Sequence, residues 1–302
     1  MSSQATSRVD VVVVSYNSRK RLRRCVESLA GAPGIRVIVV DNASQDGSLD
    51  TLGGLEVTKV PTRRNGGFAF GCNVGWRAGD APSVLFLNPD ATMTAEAVCR
   101  LADSMAADGG LGALGARIVH PDGSLDFSLR RFPRTSSAFA QALFAHRLFP
   151  AASWSDELVR DRARYGRAGD VDWVSGACLM VRRSLLERLG GFDEGFFMYS
   201  EDTDLCRRVW DMGLRVGYEP AAVCVHEGGA SAPRASLFAV HVSSRLRYAR
   251  KHRGVLGSAI ERLGLGLWAV THLIVASGGL EARSGYLAAL GRVLSPRPRM
   301  TP

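Results

Sequence analysis

VDVVVVSYNSR, residues 9–19, is the stretch on which the reading of this chain turns. An apolar run interrupted only by Asp10 reads as a strand buried on both faces. The polar turn after it feeds a helix whose apolar positions Leu22, Cys25, Val26 and Leu29 recur at helical spacing before Gly31, with Ser18 placed to cap it. The β-α pattern continues downstream. Residues 35–40 form a second apolar strand ending in Asp41 and Asn42, a short polar helix follows, and residues 55–60 supply a third strand. A glycine-rich turn enters a helix over 66–78, and a strand over 83–87 stops at Asn88-Pro89-Asp90. Apolar strands alternating with helices predict an α/β fold, a Rossmann-like and mostly parallel sheet flanked by helices, with ligands gathered at the carboxyl ends of strands. Asp41, Asn42, Asn88 and Asp90 fall at such ends. The second half reads as strands at 111–119, 171–174 and 178–181, a helix from Glu201, a strand leading to His226, and helix from about Ala235 onward.

The turn at residues 15–19 also excludes two nucleotide-binding classes. Asp41, ending the second strand, could hold a ribose hydroxyl as in a dinucleotide-binding domain, but that chemistry needs a tight glycine turn after the first strand. Ser15-Tyr16-Asn17-Ser18-Arg19 has no glycine to let backbone approach a pyrophosphate. The GxxxxGK[ST] phosphate loop is absent as well.

A chain of 302 residues that is 46% hydrophobic can bury a substantial core. Its six cysteines, Cys25, Cys72, Cys99, Cys178, Cys206 and Cys224, lack CxxC spacing, which favours reduced thiols in the cytosol over disulfides or zinc. The polar segment 1–7 does not resemble a secretory signal. A formal net charge of +9 asks for an anionic partner, and the basic residues cluster at 19–24, at Arg130-Arg131-Arg134 and in RLRYARKHR, residues 245–253. No nucleic-acid-binding motif accompanies them, which leaves a phosphorylated substrate or a membrane surface. Residues 263–280 carry no charge with His272 neutral and are long enough to span a bilayer, although glycines, Thr271 and Ser277 interrupt them. Next to the basic run they read as an interfacial helix pair; a buried hairpin packed on the main domain fits the same length.

FFMYSEDTDLCRR, residues 196–208, concentrates acids at a helix entrance, where the helix dipole favours Glu201, Asp202 and Asp204 and Ser200 can cap. An enclosed carboxylate there can act as a general base. Capping alone does not account for the acidic and amide-rich loops upstream.

Taken in order, the motifs VVSYN (13–17), VVDNASQDGS (39–48), NGGFAFGCNVG (65–75), LNPD (87–90), WVSGA (173–177), GGFDE (190–194), Glu201-Asp202 and HEGG (226–229) resemble glycosyltransferase family 2, in particular its bacterial rhamnosyltransferase-like branch. The resemblance covers roughly residues 9–230. It implies a GT-A fold over residues 1–235 and inverting transfer of a sugar from a nucleoside diphosphate; residues 236–302 read as a helical extension, membrane-associating or packed on the main domain. Ser15, Tyr16, Asn17, Asp41 and Asn42 would border the nucleoside, and Asn65, Gly67 and Asn73 would shape the loop beside nucleotide and sugar. Asp90 matches the last acid of the family's D-x-D element, with Asn88 in place of the first. Asp90 and His226 would hold Mg²⁺ or Mn²⁺, hard ions suited to oxygen ligands and a bound diphosphate. Asp202 would be the base and Glu201 an alternate base or orienting neighbour, while Asp204 pairs with Arg207 or Arg208. Trp173 and residues 196–198 would wall the sugar and acceptor, or serve as plain core. The branch favours dTDP-L-rhamnose as donor over a UDP-hexose or UDP-galactofuranose. Basic patches beside an apolar tail suit a polyprenyl-diphosphate-linked or glycan acceptor at the inner membrane surface. A catalytically silent glycan-binding protein of the same fold is the alternative of a different class.

Overall fold

The computed structural model describes residues 8–228, 235–276 and 279–295; Gly229 of the HEGG motif, residues 277–278 of the apolar segment and the N-terminal residues 1–7 lie outside the described residues. The sheet is built from β1 (Val9–Ser15), β2 (Ile35–Asp41), β3 (Thr58–Pro61), β4 (Ser83–Leu87), β5 (Ala91–Met93), β6 (Leu111–Val119), β7 (Gly169–Asp170), β8 (Cys178–Arg182) and β9 (Arg215–His226). Its order is β3-β2-β1-β4-β8-β6-β9-β5, with β7 on β9. The parallel arrangement holds from β3 through β4. Beyond that the sheet is mixed, because β8 runs antiparallel between β4 and β6. Reversal of β8 sets Cys178 opposite Leu87, so the chain entering β8 passes the carboxyl end of β4. Residues 171–174, expected as a strand, are not one: Trp173 makes a single bridge to Arg130, and pairing with β9 stops at Asp170. The third strand starts three residues later than its apolar run, at Thr58.

Each face of β1 is buried, and alternate residues serve different cores. Val9, Val11 and Val13 pack with Leu22, Cys25 and Val26 of α1 (Arg19–Glu27) and Leu101 and Met105 of α3 (Ala95–Ala107). Val12 and Val14 face Cys72 and Trp76 of α2 (Phe68–Arg77), alongside Leu185 and Leu186 of α6 (Arg183–Leu189) and Leu205 and Val209 of α7 (Glu201–Asp211). Between β6 and β7 lie α4 (Thr135–Ala142) and the short α5 (Ala145–Leu148). The six cysteines are free.

Two caps differ from expectation. Ser18 makes no side-chain cap bond; Asp46 Oδ2 accepts from Arg19 N (3.0 Å) and so caps α1 from a neighbouring loop. Ser200 makes none either, because it sits at φ 64°, where its hydroxyl cannot swing back over the first turn.

After residue 235 come α8 (Phe238–Val275) and α9 (Gly279–Leu294). By length and composition alone α8 passes for a membrane span. It is not one straight rod. Gly254 takes φ 67° and ψ −163°, which only glycine adopts easily, and the helix folds back there. Arg245 and Glu261 would stand about 24 Å apart along a straight helix, yet Arg245 Nε and Glu261 Oε1 are 2.9 Å apart. The front half, 238–253, bonds to the loop before α7 through Ser244 on Met198 O (2.7 Å) and Lys251 on Asp193 (2.8 Å), while its Val242 and Leu246 pack with Leu265, Ala269, Ala289 and Val293 in a cluster apart from the two faces of the sheet. The rear half lies along α4 and α9, with Thr271 Oγ1 donating to Ala142 O (2.7 Å).

Candidate active site

The carboxyl ends of β1, β2 and β4 form one edge of the site. Ser15 is fully buried and its hydroxyl has no partner among the described residues, whereas Tyr16 is 49% exposed. Asn17 adopts a left-handed φ of 50°, and its Oδ1 accepts from Gln45 N (2.9 Å) while its own N–H donates to Ser44 Oγ (2.9 Å). This closes the loop after Asp41. Asp41 Oδ2 accepts from Ser44 N (3.1 Å), leaving a buried Oδ1 with no partner among the described residues. A buried acceptor without a donor is costly, so this oxygen is set for a ligand donor.

Asn42, Asn65 and Asn73, three of the asparagines expected at the nucleotide site, bond to protein through their side chains. Asn42 Nδ2 donates to Gly67 O (2.9 Å) and Asn65 Oδ1 (3.1 Å), and its Oδ1 accepts from Gly66 N (3.2 Å). Asn65 Oδ1 also accepts from Gly67 N (3.0 Å). Asn73 donates to Phe192 O and Glu194 Oε1 (both 2.9 Å) and accepts from Phe192 N and Trp76 Nε1. With all four positions of the Asn73 amide used, the side chain is a strut under the GGFDE turn, with nothing left for a ligand. Gly67, at φ 89°, lets residue 197 come close: a methyl group there would overlap the Phe197 carbonyl, which accepts from Phe68 N (2.8 Å).

Beyond β4, the β5–β9 register puts Ala91 opposite His226, so Asp90 lies beside the imidazole, with Nε2 3.1 Å from Asp90 Oδ1. Asn88 Nδ2 approaches the same nitrogen at 3.4 Å. The buried Nδ1 has no partner among the described residues. Burial works against charging the ring, but the Asp90 bond and charge prevail and raise its pKa. No third acid, histidine or cysteine joins them in a metal-binding cluster among the described residues.

The acidic pair stands on the same edge through a short backbone path. Asn88 N donates to Ala177 O (3.0 Å), and Gly176 N donates to Asp202 Oδ2 (2.9 Å). Asp202 Oδ1 accepts from Thr203 N (2.7 Å). Burial pushes the Asp202 carboxyl up against these bonds and the nearby Arg130 charge. Glu201 is raised well above the carboxylate range, first by burial and then by Asp202, and its Oε2 has no partner among the described residues. The two neighbouring carboxyls thus oppose each other's ionisation.

The loop before them is held in an uncommon shape, since both Tyr199 (φ 69°) and Ser200 (φ 64°) are left-handed. Sequence reasoning missed what holds it. Ser244 Oγ donates to Met198 O (2.7 Å), and Arg247 and Lys251 each lie 2.8 Å from the Asp193 carboxylate. The Tyr199 ring meets His241 edge-on. Asp204, fully buried, pairs with Arg208 (2.8 Å) as the spacing suggested, and also with Lys251 (2.8 Å) and His252 (2.7 Å); Arg207 pairs with Asp211 instead. Although burial opposes ionisation, these partners keep Asp204 below its usual pKa. The basic run at 245–253 was the available signal, but its spacing could not say which acids it meets.

An edge of buried polar groups at the carboxyl ends of β1, β2 and β4, with an acid pair on a braced loop beside it, is the arrangement of a glycosyltransferase of the GT-A fold. The chain belongs to glycosyl transferase family 2, whose model matches residues 10–190, and it is rhamnosyltransferase-like. It is 32% identical over 267 residues to the N-acetylglucosaminyl-diphospho-decaprenol L-rhamnosyltransferase of Mycobacterium tuberculosis, covering 82% of this chain and 86% of that one. To rhamnosyltransferase WbbL of Escherichia coli it is 26% identical over 289 residues, covering 84% and 97%. The fold matches that of the mannosyltransferase PcManGT from Pyrobaculum calidifontis, solved in complex with GDP-Man and Mn²⁺, at a TM-score of 0.57 and 20% identity, over 95% of this chain and 80% of that one.

Proposed function

We propose that the chain is an inverting hexosyltransferase that moves L-rhamnose from dTDP-L-rhamnose to a hydroxyl of a polyprenyl-diphosphate-linked or glycan acceptor, in cell-envelope glycan synthesis at the cytoplasmic face of the membrane. The observation that carries the reading is Asp202, a carboxylate oriented by two backbone N–H groups, with its pKa raised by burial. The acceptor oxygen attacks the anomeric carbon as the bond to the nucleoside diphosphate breaks, its proton passes to Asp202, and attack opposite the leaving group inverts the centre. Glu201, holding its proton, sets the Asp202 environment rather than competing for the hydroxyl. At the other edge the free Asp41 Oδ1 accepts from the base, and Ser15, Tyr16 and Asn17 border the nucleoside. Asp90 and His226 would supply an oxygen and a nitrogen donor to a divalent cation, Mg²⁺ or Mn²⁺. Such an ion would supply counter-charge to the departing diphosphate. Asn88 adds no charge and steadies His226.

Likeness to two rhamnosyltransferases, one of them acting on N-acetylglucosaminyl-diphospho-decaprenol, supports the rhamnose donor and the lipid-linked acceptor. Leu148 and Phe149 at the end of α5, Ile274 and Val275 at the end of α8, and Leu280 and Leu294 on α9 are all more than half exposed, which suits contact with a membrane, and the net charge of +9 favours an anionic one. A thermal-shift screen of dTDP-L-rhamnose, UDP-hexoses and UDP-galactofuranose, each with Mg²⁺ or Mn²⁺, tests the donor, since a specific donor raises the melting temperature. The largest shift is expected with dTDP-L-rhamnose. A shift with a UDP sugar alone reassigns the donor, and no shift with any, together with no transfer, favours a silent glycan-binding protein. Co-sedimentation with anionic vesicles should weaken with salt without vanishing; no binding by the intact chain ends the membrane reading.

A further inference from the structure

Of the three arginines clustered at 130–134, one has no assigned work. Arg131 Nη1 donates to Leu158 O (3.2 Å) and, more weakly, Asp156 O, and Arg134 is exposed where α4 begins. Arg130 is partly buried, and its side chain makes no hydrogen bond or ion pair among the described residues. Its guanidinium instead lies over the Trp173 ring, 5.6 Å from the centroid, and its backbone bridges Trp173 and Leu158. Trp173 is fixed in turn, with Nε1 donating to Arg131 O (2.9 Å). Three residues after Trp173, Gly176 donates to Asp202. One short segment therefore carries both the platform under Arg130 and the N–H that orients the base.

A guanidinium with its donors unspent, stacked on an indole beside a buried carboxylate, is arranged for an anion other than that carboxylate, because Asp202 is already satisfied by N–H groups. The donor diphosphate belongs to the Asp90 and His226 side. From Arg130 the chain continues into α4 and α5, whose end carries the exposed Leu148 and Phe149. The base, the Arg130 cation whose charge reaches it, and the apolar surface that follows Arg130 in the chain make a set of three. This matches hydroxyl, diphosphate and hydrocarbon in a prenyl-diphosphate-linked sugar.

We propose that Arg130, stacked on Trp173, binds the diphosphate of a prenyl-diphosphate-linked acceptor and presents its sugar hydroxyl to Asp202. The assignment rests on the transferase reading and gives that site its acceptor subsite. Arg130→Gln removes the charge with little change of shape, and Arg130→Lys keeps charge but not the planar fork.

The first test is calorimetric titration of farnesyl diphosphate, with farnesol as control, into protein saturated with dTDP and Mn²⁺ so that the donor side is filled. Loss of a charge-assisted pair predicts about tenfold or greater weakening for Arg130→Gln, with partial recovery in Arg130→Lys. The second compares acceptors: the KM for a farnesyl-diphosphate-linked sugar should rise at least as much, while the KM for the octyl glycoside of that sugar stays near that of the unmutated protein. Equal losses on both acceptors, or unaltered farnesyl diphosphate affinity in a folded Arg130→Gln protein, overturns the assignment. Failure of the unmutated protein to bind dTDP or transfer any sugar would count against the transferase reading itself, a different result.

Discussion

Around the loop after β2 the polar groups settle one another locally: Asn17 bonds to Gln45, 28 positions away, and Asn42 to Gly67, 25 away. The loop carrying Asp202 is held from a distance, by Ser244 on Met198 (46 positions), His252 on Asp204 (48) and Lys251 on Asp193 (58). The first region needs no unusual backbone beyond Asn17 and Ala43, whereas the second keeps two consecutive left-handed residues directly before its acids. Such residues persist only where their surroundings over-determine them. A self-contained edge can be specified by a few adjacent loops; a strained loop with a buried acid pair needs a third element, and α8 is that element.

The largest expected effect falls on the strained loop itself. Asp202→Asn keeps the shape but cannot take the proton, so transfer should drop by about 10²- to 10⁴-fold with donor affinity within a few-fold. Glu201→Gln should cost less in turnover. If steady-state kinetics on folded proteins show the reverse order, the base is Glu201.

Gly67 is where the two regions touch, and Gly67→Ala tests whether they depend on each other. The methyl group meets the Phe197 carbonyl at a backbone angle that disfavours side chains, so a loss of about 3 kcal/mol is expected by denaturant unfolding, with transfer falling as the loop shifts. A neutral substitution would mean that the loop is positioned from α8 alone.

The smallest effect concerns stability against pH. Because burial and Asp202 raise the folded-state pKa of Glu201, the stability this carboxyl contributes is present below its unfolded pKa and is lost as pH rises through its folded pKa. Glu201→Gln should therefore melt higher than the unmutated protein at pH 7–8, by roughly 1 kcal/mol or a few degrees, with the gap closing toward pH 4. A gap that widens in acid would show that Glu201 is charged and paired.

What could be read from sequence follows the same division. The strands at 9–14, 35–40 and 83–87 and the polar residues ending them were legible because apolar period and turn chemistry are local signals. Antiparallel β8 between β4 and β6 was not, since a short apolar run carries no direction and the partner strand is chosen in three dimensions. Asn73 illustrates the limit within the site: its position in NGGFAFGCNVG suggested a ligand contact, but only the fold reveals Phe192 and Glu194 waiting for the amide. Ser18 and Ser200 looked like caps for the same reason, and Asp46 and a left-handed turn took those places.

The fold-back of α8 at Gly254 has a mechanical consequence. Arg245 and Arg253 of the front half both grip Glu261 of the rear half, and Arg245 also reaches Glu157 (2.5 Å), so the elbow is braced rather than loose. Glu261 thereby ties the rear half, whose end carries the exposed Ile274 and Val275, to the helical turns that seat Ser244 and Lys251. Removing the Glu261 carboxylate would unpin the elbow beside the turns that brace the acid-bearing loop.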